Sequence, residues 1–505
     1  ALDLINGNDL FIEPCSQSAY AIENTGYADP ATNAVTLNGR LQAPGAVFTV
    51  ELYHGPNDGG INAAAWSNVV TIGTWSNAPD TNLTHTLTGL SPGTSGYYRY
   101  RAFNAKTNLW AQPSSEYRTR QDLRAWTHSM AITLCGYDRN TTLVDFPVLL
   151  TLSEAIPGYS PEQLASINGH DLRFTRADQT EFLAYDIETW NPESTEASRI
   201  WVNLPELSGT DTVIHMLWGN PAADQPAYAT NGSAWVDAIG IWHMSETNAQ
   251  DASGNGWHGT GSSNTPTAGR IDLAQAFTGG EHIHMGPGLD VSNTSFTVSA
   301  WVRRNSNSVN EWVVSHGVSQ PEKGLHFGFR ANNQFAFAFW SDDLNIGGHA
   351  EKDEWHFWTG VFDASAGRQT VYKDGVEIGS RIAAAPYQGD AGTLFRIGER
   401  YGTERFNGAI DEVRLIGAAH SADRTWTTWK NVASNHSFAC FGSVDTERDL
   451  PLISNDGGTK SATGTNAWLT AHLIGDGGAP ATVTMYWGLT DGGTNPAAWT
   501  NTISL

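Results

Sequence analysis

The loop Asp251-Ala252-Ser253-Gly254-Asn255-Gly256-Trp257-His258-Gly259 carries the oxygen donors best suited to a hard cation. Calcium takes carboxylate, amide and carbonyl oxygens at roughly 2.3–2.6 Å. Asp251 and Asn255 offer the first two kinds, and the glycines let carbonyls turn inward. The same residues also suit a plain glycine-rich turn, in which Asp and Asn bond nearby backbone. A second chemistry is sugar recognition, which needs aromatic faces beside planar polar groups. Trp312, Trp340, Trp358 and Tyr401 are the aromatic candidates; Arg400, His282 and His284 are the polar ones. Phe335, Phe337 and Phe339 alternate, so a strand there points them to the core and Trp340 outward. Trp340, Trp312, Tyr401 and Arg400 form the glycan-binding set that this reasoning selects.

Catalytic signals are sparse. Asp186 and Glu188 alternate on one strand-like run, in a different stretch from the aromatic candidates. Asp411 and Glu412 are adjacent, so in a regular strand they face opposite ways and cannot work as a pair. No Gly-x-Ser-x-Gly, His-Glu-x-x-His, Walker-type or dinucleotide-binding loop is present. His282 and His284 share a strand face, but two residues make a weak metal signal. The chain reads as non-enzymatic.

The elements that must position these residues are short. Apolar and aromatic runs alternate with Gly, Asn and Asp, and helix-period patterns are scarce. This predicts an all-β string of β-sandwich modules, one of them over 237–440, where the motifs that follow resemble a concanavalin A-like jelly roll. That stretch holds Gly240-Ile241-Trp242-His243-Met244, the Asp251–Gly259 loop, Phe296-Thr297-Val298-Ser299-Ala300-Trp301-Val302, the Lys373-Asp374-Gly375 turn and Gly408-Ala409-Ile410-Asp411-Glu412-Val413-Arg414. In that order these motifs resemble the laminin-G-like jelly rolls of secreted bacterial proteins. The resemblance implies a structural calcium, with Asp411 adding the second carboxylate to Asp251 and Asn255. It also implies glycan binding, and it does not imply catalysis. Ser421 is placed to cap a short helix on which Trp426 and Trp429 share a face.

Upstream, residues 121–236 hold Asp145-Phe146-Pro147-Val148-Leu149-Leu150, Asp171-Leu172-Arg173-Phe174, Ile200-Trp201-Val202-Asn203-Leu204-Pro205 and Trp218-Gly219-Asn220-Pro221. They resemble a bacterial surface-protein domain of unknown function, expected to be another sandwich with one short helix near Pro161 to Ile167. Residues 31–120 carry Leu90-Ser91-Pro92-Gly93-Thr94 before Tyr97-Tyr98-Arg99, a pattern similar to fibronectin type III modules. Residues 1–30 read as an irregular lead-in. The run Val483-Thr484-Met485-Tyr486-Trp487-Gly488 repeats Val50-Glu51-Leu52-Tyr53-His54-Gly55 at an offset of 433 residues, and Asp491 to Asn501 repeats Asp58 to Asn68. Residues 441–505 are therefore a partial second fibronectin III-like repeat, with Leu505 matching Ile72. Its open edge would be completed by further chain or by a strand from another copy, or the truncated module would close on itself.

Composition sets outer limits. The chain has 505 residues and a formal charge of −24, from 52 acids against 28 Lys and Arg. That balance disfavours nucleic acid and anionic membrane surfaces and suits a soluble, secreted protein. No apolar run is long enough to span a bilayer. Cys15, Cys135 and Cys440 are too scattered for a zinc site or a disulfide framework, so buried free thiols are expected, with one bridge allowed. Ala1-Leu2-Asp3 lacks the basic start and apolar core of a signal peptide, so a secreted chain would already be processed or be an excerpt. The functional expectation is an extracellular or cell-surface bacterial repeat protein that binds a polysaccharide or surface glycan. Two alternatives stand beside it: a subunit of a head-to-tail fibre, and an accessory region of a larger polysaccharide-active enzyme.

Overall fold

The computed structural model describes residues 20–193, 196–306, 308–349, 351–446, 451–454, 459–462, 467–476, 482–493 and 495–505. Cys15 lies outside these residues. The chain divides into two compact units: residues 1–123 with 178–182, and residues 124–177 with 183–505.

The first unit is an antiparallel sheet built around the long strand Ala34–Gly55. That strand pairs with Asn68–Thr88, with Ser95–Phe103 and with Ala21–Ala28. Strict alternation buries Val35, Leu37, Leu41 and Ala43 on one face. Tyr98 and Tyr100 close the core, the Tyr100 hydroxyl donating to the Leu37 carbonyl at 3.0 Å. Ala21–Ala28 is thus a paired strand of this sheet, in a stretch that the sequence reads as an irregular lead-in with room for one strand. Ile22, whose side chain joins the core, holds it there.

The second unit contains two sandwiches. In the first, Leu143–Leu152, Ser198–Leu207 and Tyr185–Thr189 form one sheet. The facing sheet runs Cys440–Asp445, His128–Thr133, Val213–Trp218, Arg173–Arg176. Phe146, Val148, Leu150, Ile200, Val202, Ile214 and Met216 fill the space between them. The helix near Pro161 is one 3-10 turn, Pro161–Gln163, closed by a capping box with Ser160.

The last strand of this sandwich arrives from the far side of the jelly roll. Cys440–Asp445 pairs with His128–Thr133, and Cys135 is disulfide-bonded to Cys440 across a separation of 305 residues. The expectation of free thiols is corrected for these two cysteines. They pair because the returning strand sets them on adjacent sheet edges, which sequence spacing cannot show. Helix Ala422–Ala433, capped by Ser421, precedes that strand. Its Arg424 donates to the carbonyls of Val144 and Asp145, and Asn435 just beyond donates to that of Leu149.

The jelly roll stacks an eight-stranded sheet on a seven-stranded one. The first is centred on Phe296–Arg304 and Asn407–Ile416. The second runs Thr260–Ser262, His282–Pro287, Leu394–Ile397, Glu311–Gly317, Gly324–Phe329, Phe335–Ala338, Asp343–Ile346. Phe296, Phe337, Phe339, Trp358, Ile410 and Val413 interlock between them. Trp358 is stacked on Phe335 at 3.8 Å and is core, so it is not a sugar contact.

At the C-terminal end, Thr484–Trp487 pairs with Asn501–Ser504. The turn between them reproduces that of the first unit. Trp66 Nε1 donates to the Gly60 carbonyl and Trp499 Nε1 to that of Gly493, both at 3.1 Å. Asn62 and Asn495 cap matching 3-10 turns. Tyr486, Trp487, Leu489 and Ile503 are exposed.

Candidate functional site

The outer face of the seven-stranded sheet brings the aromatic candidates together. Phe335 and Phe337 face inward, and after Ala338 the chain leaves the sheet through Trp340 and Ser341, both left-handed (φ 60° and 65°). Holding a tryptophan there costs about 1–2 kcal/mol, which the surrounding contacts must offset. The Trp340 ring lies 5.5 Å from His326 and under the Arg400 guanidinium at 4.5 Å. Arg400 also covers the Tyr401 ring at 4.7 Å. It donates to Glu404 Oε2 (2.8 Å) and Ser319 Oγ (2.6 Å). Tyr401, itself left-handed, is 41% exposed and donates its hydroxyl to the Gly317 carbonyl.

Trp312 belongs to the same cluster but not to its surface. It is 2% exposed, 4.8 Å from His326, and its Nε1 donates to Glu404 Oε2 at 2.7 Å. The expectation that Trp312 contacts sugar is corrected: His326 and Arg330 cover it, and it is the floor of the site. Glu404 was not foreseen. Burial would raise its carboxyl, but hydrogen bonds from Trp312, Arg400 and Asn310 outweigh that and hold it below the usual range. His326 is neutral, its pKa lowered to about 3 by burial and by Arg400 and Arg330. The result is a half-open ring pair, a fixed cation and a fixed anion. Such a surface stacks on an apolar face and grips neighbouring hydroxyls with planar donors and acceptors.

The calcium candidates are used differently. Asp251 accepts from the backbone N–H of Ile241 (3.1 Å), Ser253 (2.9 Å) and Trp257 (2.9 Å). Asn255 turns its amide nitrogen to the carbonyls of Ala238 and Ile239. A side chain at Gly254 would strike the Asn231 carbonyl. This is a clamp that stitches the loop to strand Ala238–Trp242. Asp411 accepts from the N–H of Arg270 and Ile271 through one oxygen. Burial and then Glu412 push its carboxyl well above the usual range. Donors aimed at the carboxylates leave these three residues a poor fit to a calcium ion.

A third grouping was not visible in the sequence. Between Ser299 and Trp301 the neighbouring strand registers an extra residue opposite, and Glu412 is left-handed (φ 51°). This β-bulge turns Val413 and Leu415 into the core with Ile410, and leaves Asp411, Glu412 and Arg414 all facing the other sandwich. The adjacent carboxylates therefore do not face opposite ways. Glu412 meets His243 Nδ1 at 2.5 Å and the Arg414 guanidinium at 2.5 Å. His243 Nε2 meets Asp186 at 3.0 Å, and Glu188 lies 3.5 Å from its Nδ1. Trp201 and Trp235 donate to Glu188 and Asp186. Burial opposes charge on His243, but Glu412, Glu188 and Asp186 outweigh it and raise its pKa well above the usual range. Burial, reinforced by Glu412, raises Glu188. The cluster is a largely buried charged joint between the two sandwiches, in which Asp186, its side chain 21% exposed, reaches a cavity that Asp251 and His258 also line.

Comparison with known proteins follows this geometry. Residues 277–424 match the family model Laminin_G_3, the concanavalin A-like lectin/glucanases superfamily. Residues 168–257 match a domain of unknown function, DUF2341. No curated protein matches. Among solved structures, the chain is similar to domain 4 of AbnA, a GH43 extracellular arabinanase from Geobacillus stearothermophilus, in complex with arabinotriose. Identity is 21%, coverage 38% of this chain and 97% of that one, and the TM-score 0.33. It is also similar to the binding domain of botulinum neurotoxin DC in complex with SialylT, at 12% identity, 39% and 52% coverage and TM-score 0.31. A heptameric pentraxin from Limulus polyphemus aligns at 14% identity, 32% and 84% coverage and TM-score 0.26. The chain spans about half of the toxin domain, 52%.

Proposed function

We propose that this is a non-enzymatic, extracellular bacterial surface or matrix protein that binds glycan through the outer face of its jelly roll. One observation carries the reading. Trp340, Arg400 and Tyr401, 61 residues apart in sequence at the extremes, form one stacked, partly open cluster with Glu404 beside it. The match of the same domain to a lectin and glucanase superfamily agrees with it. The Cys135–Cys440 disulfide suits an oxidising, extracellular setting. Residues 31–120 and 441–505 serve in this reading as fibronectin III-like spacers. The matching turns at Trp66 and Trp499 also favour a second reading, a repeat that builds a fibre. A glycan array probed with the wild-type chain and with Arg400→Ala tests the first reading. Binding of a defined sugar class, lost in the variant, supports it; no binding to any glycan sinks it.

A further inference from the structure

The same outer face holds a second constellation, at the end formed by strand His282–Pro287. Ile283 and Met285 of that strand face the core, so His282 and His284 both face outward, their imidazoles stacked at 4.2 Å. Glu399 arrives just past the partner strand Leu394–Ile397. Its Oε1 is 2.6 Å from His284 Nε2. Its Oε2 faces His282 Nδ1 at 3.9 Å, too far for a hydrogen bond. Both of these last atoms are buried and have no hydrogen-bond partner, and the Glu399 side chain is only 3% exposed. An unpartnered buried carboxylate oxygen is costly, so this geometry needs an explanation.

We propose that His282, His284 and Glu399 bind a borderline divalent cation of the zinc class. One ligand atom from each lies within 4.8 Å of the others. Zinc bound at about 2.0–2.2 Å in a tetrahedron separates its ligand atoms by roughly 3.4 Å. The two His–Glu spacings, 2.6 and 3.9 Å, straddle that value, so small rotations of the rings suffice. Two imidazoles with one carboxylate select zinc, copper or nickel over calcium, which requires oxygen. The histidine side chains are 22% and 27% exposed, which leaves an open side for a water or an outside ligand. Arg396 and Arg405, 3.8 and 3.9 Å from Glu399, orient the carboxylate and temper the affinity.

The test uses the full chain after chelator treatment. Isothermal titration with zinc chloride is run on wild type, His282→Ala, His284→Gln and, as a control, His436→Ala, whose side chain is exposed on another element. Cobalt chloride provides a second readout, the visible absorption of tetrahedral Co2+. One equivalent of zinc and the cobalt band are expected in wild type and in the control. Each is lost, or its affinity falls at least roughly tenfold, in both ligand variants. Circular dichroism confirms that each variant is folded, and His282→Ala decides if His284→Gln unfolds. Wild type without a bound equivalent, or with one that His282→Ala leaves intact, overturns the proposal.

Discussion

The two charged clusters of the jelly roll use the same residue types to opposite ends. On the eight-stranded sheet, Glu412, His243, Asp186, Glu188 and Arg414 are packed under Trp201 and Trp235 and sealed against the neighbouring sandwich. On the seven-stranded sheet, Arg400, Glu404, His326, Trp340 and Tyr401 are arranged as densely but keep one side open. Burial decides the difference. A buried charge is costly unless it is paired, so the first cluster's bonds are spent inside the protein, those of His243 to Asp186 and Glu188 linking the two sandwiches. An open cluster keeps unused donors and ring faces for an outside molecule. Perturbed ionisation alone would have selected the buried cluster, the more perturbed of the two.

The sharpest way to break this comparison is to unpair the sealed cluster. Glu412→Ala leaves His243 and Arg414 facing each other in a buried site. The expected cost is about 3–5 kcal/mol in denaturant unfolding, with no matching loss at the outer face. A cost under about 1 kcal/mol would mean that the joint is open to water. Next in size is the covalent tie of the same region. Cys135→Ser should cost about 2–4 kcal/mol and mainly loosen the sandwich that Cys440–Asp445 completes. Hydrogen exchange on His128–Thr133 reads this directly, and unchanged protection there would contradict it.

Ionisation separates the regions further. His326 and His316, lowered by burial to about 3 and about 4, stay neutral in the folded chain below the ordinary histidine value of 6.5. The unfolded chain takes up those protons first. Stability should therefore fall as pH drops from 6.5 toward about 4. Glu412 acts in the same direction over a lower window, from its ordinary value of 4.5 downward. Its carboxyl is held down to about 2, burial being outweighed by His243 and Arg414, so its contribution survives until the pH nears that value. Glu188 and Asp411, raised well above the usual range, work the other way, so the test compares the change in melting temperature between pH 7 and pH 4.5 in wild type with that in His326→Gln and His316→Gln; an equal change in all three would contradict it. The smallest stability effect is expected at the open face. Trp340→Ala removes a half-buried ring in a left-handed position and should cost less than about 1.5 kcal/mol. A loss in the ~3–5 kcal/mol range of a core aromatic would place it in the interior.

Much of this architecture was legible in the sequence. Alternation of Phe335, Phe337 and Phe339, the turn at Lys373-Asp374-Gly375 and the Trp66/Trp499 repeat all depend on local geometry, which spacing encodes. What stayed hidden was non-local. A single bulge at Glu412 reverses the parity of everything around it, and no residue there announces a left-handed backbone. The Cys135–Cys440 pair depends on a strand that returns after the whole jelly roll. At Asp251 the residue types were read correctly as oxygen donors, but their partners are backbone N–H groups. Composition cannot distinguish a clamp from a cation site. Trp312 shows the same limit: its type suits a sugar platform, and only the packing of His326 and Arg330 shows that it is covered.

The central claim is that the open cluster binds glycan while the sealed one does not. It is tested most directly by the affinity of one array-identified oligosaccharide for wild type, Arg400→Ala and Trp340→Ala, measured calorimetrically beside a variant of the sealed cluster that still folds, Asp186→Asn. The account predicts at least a roughly tenfold loss in each outer-face variant, about 1.4 kcal/mol or more, and an unchanged affinity in Asp186→Asn. Equal binding by wild type and both outer-face variants would contradict it.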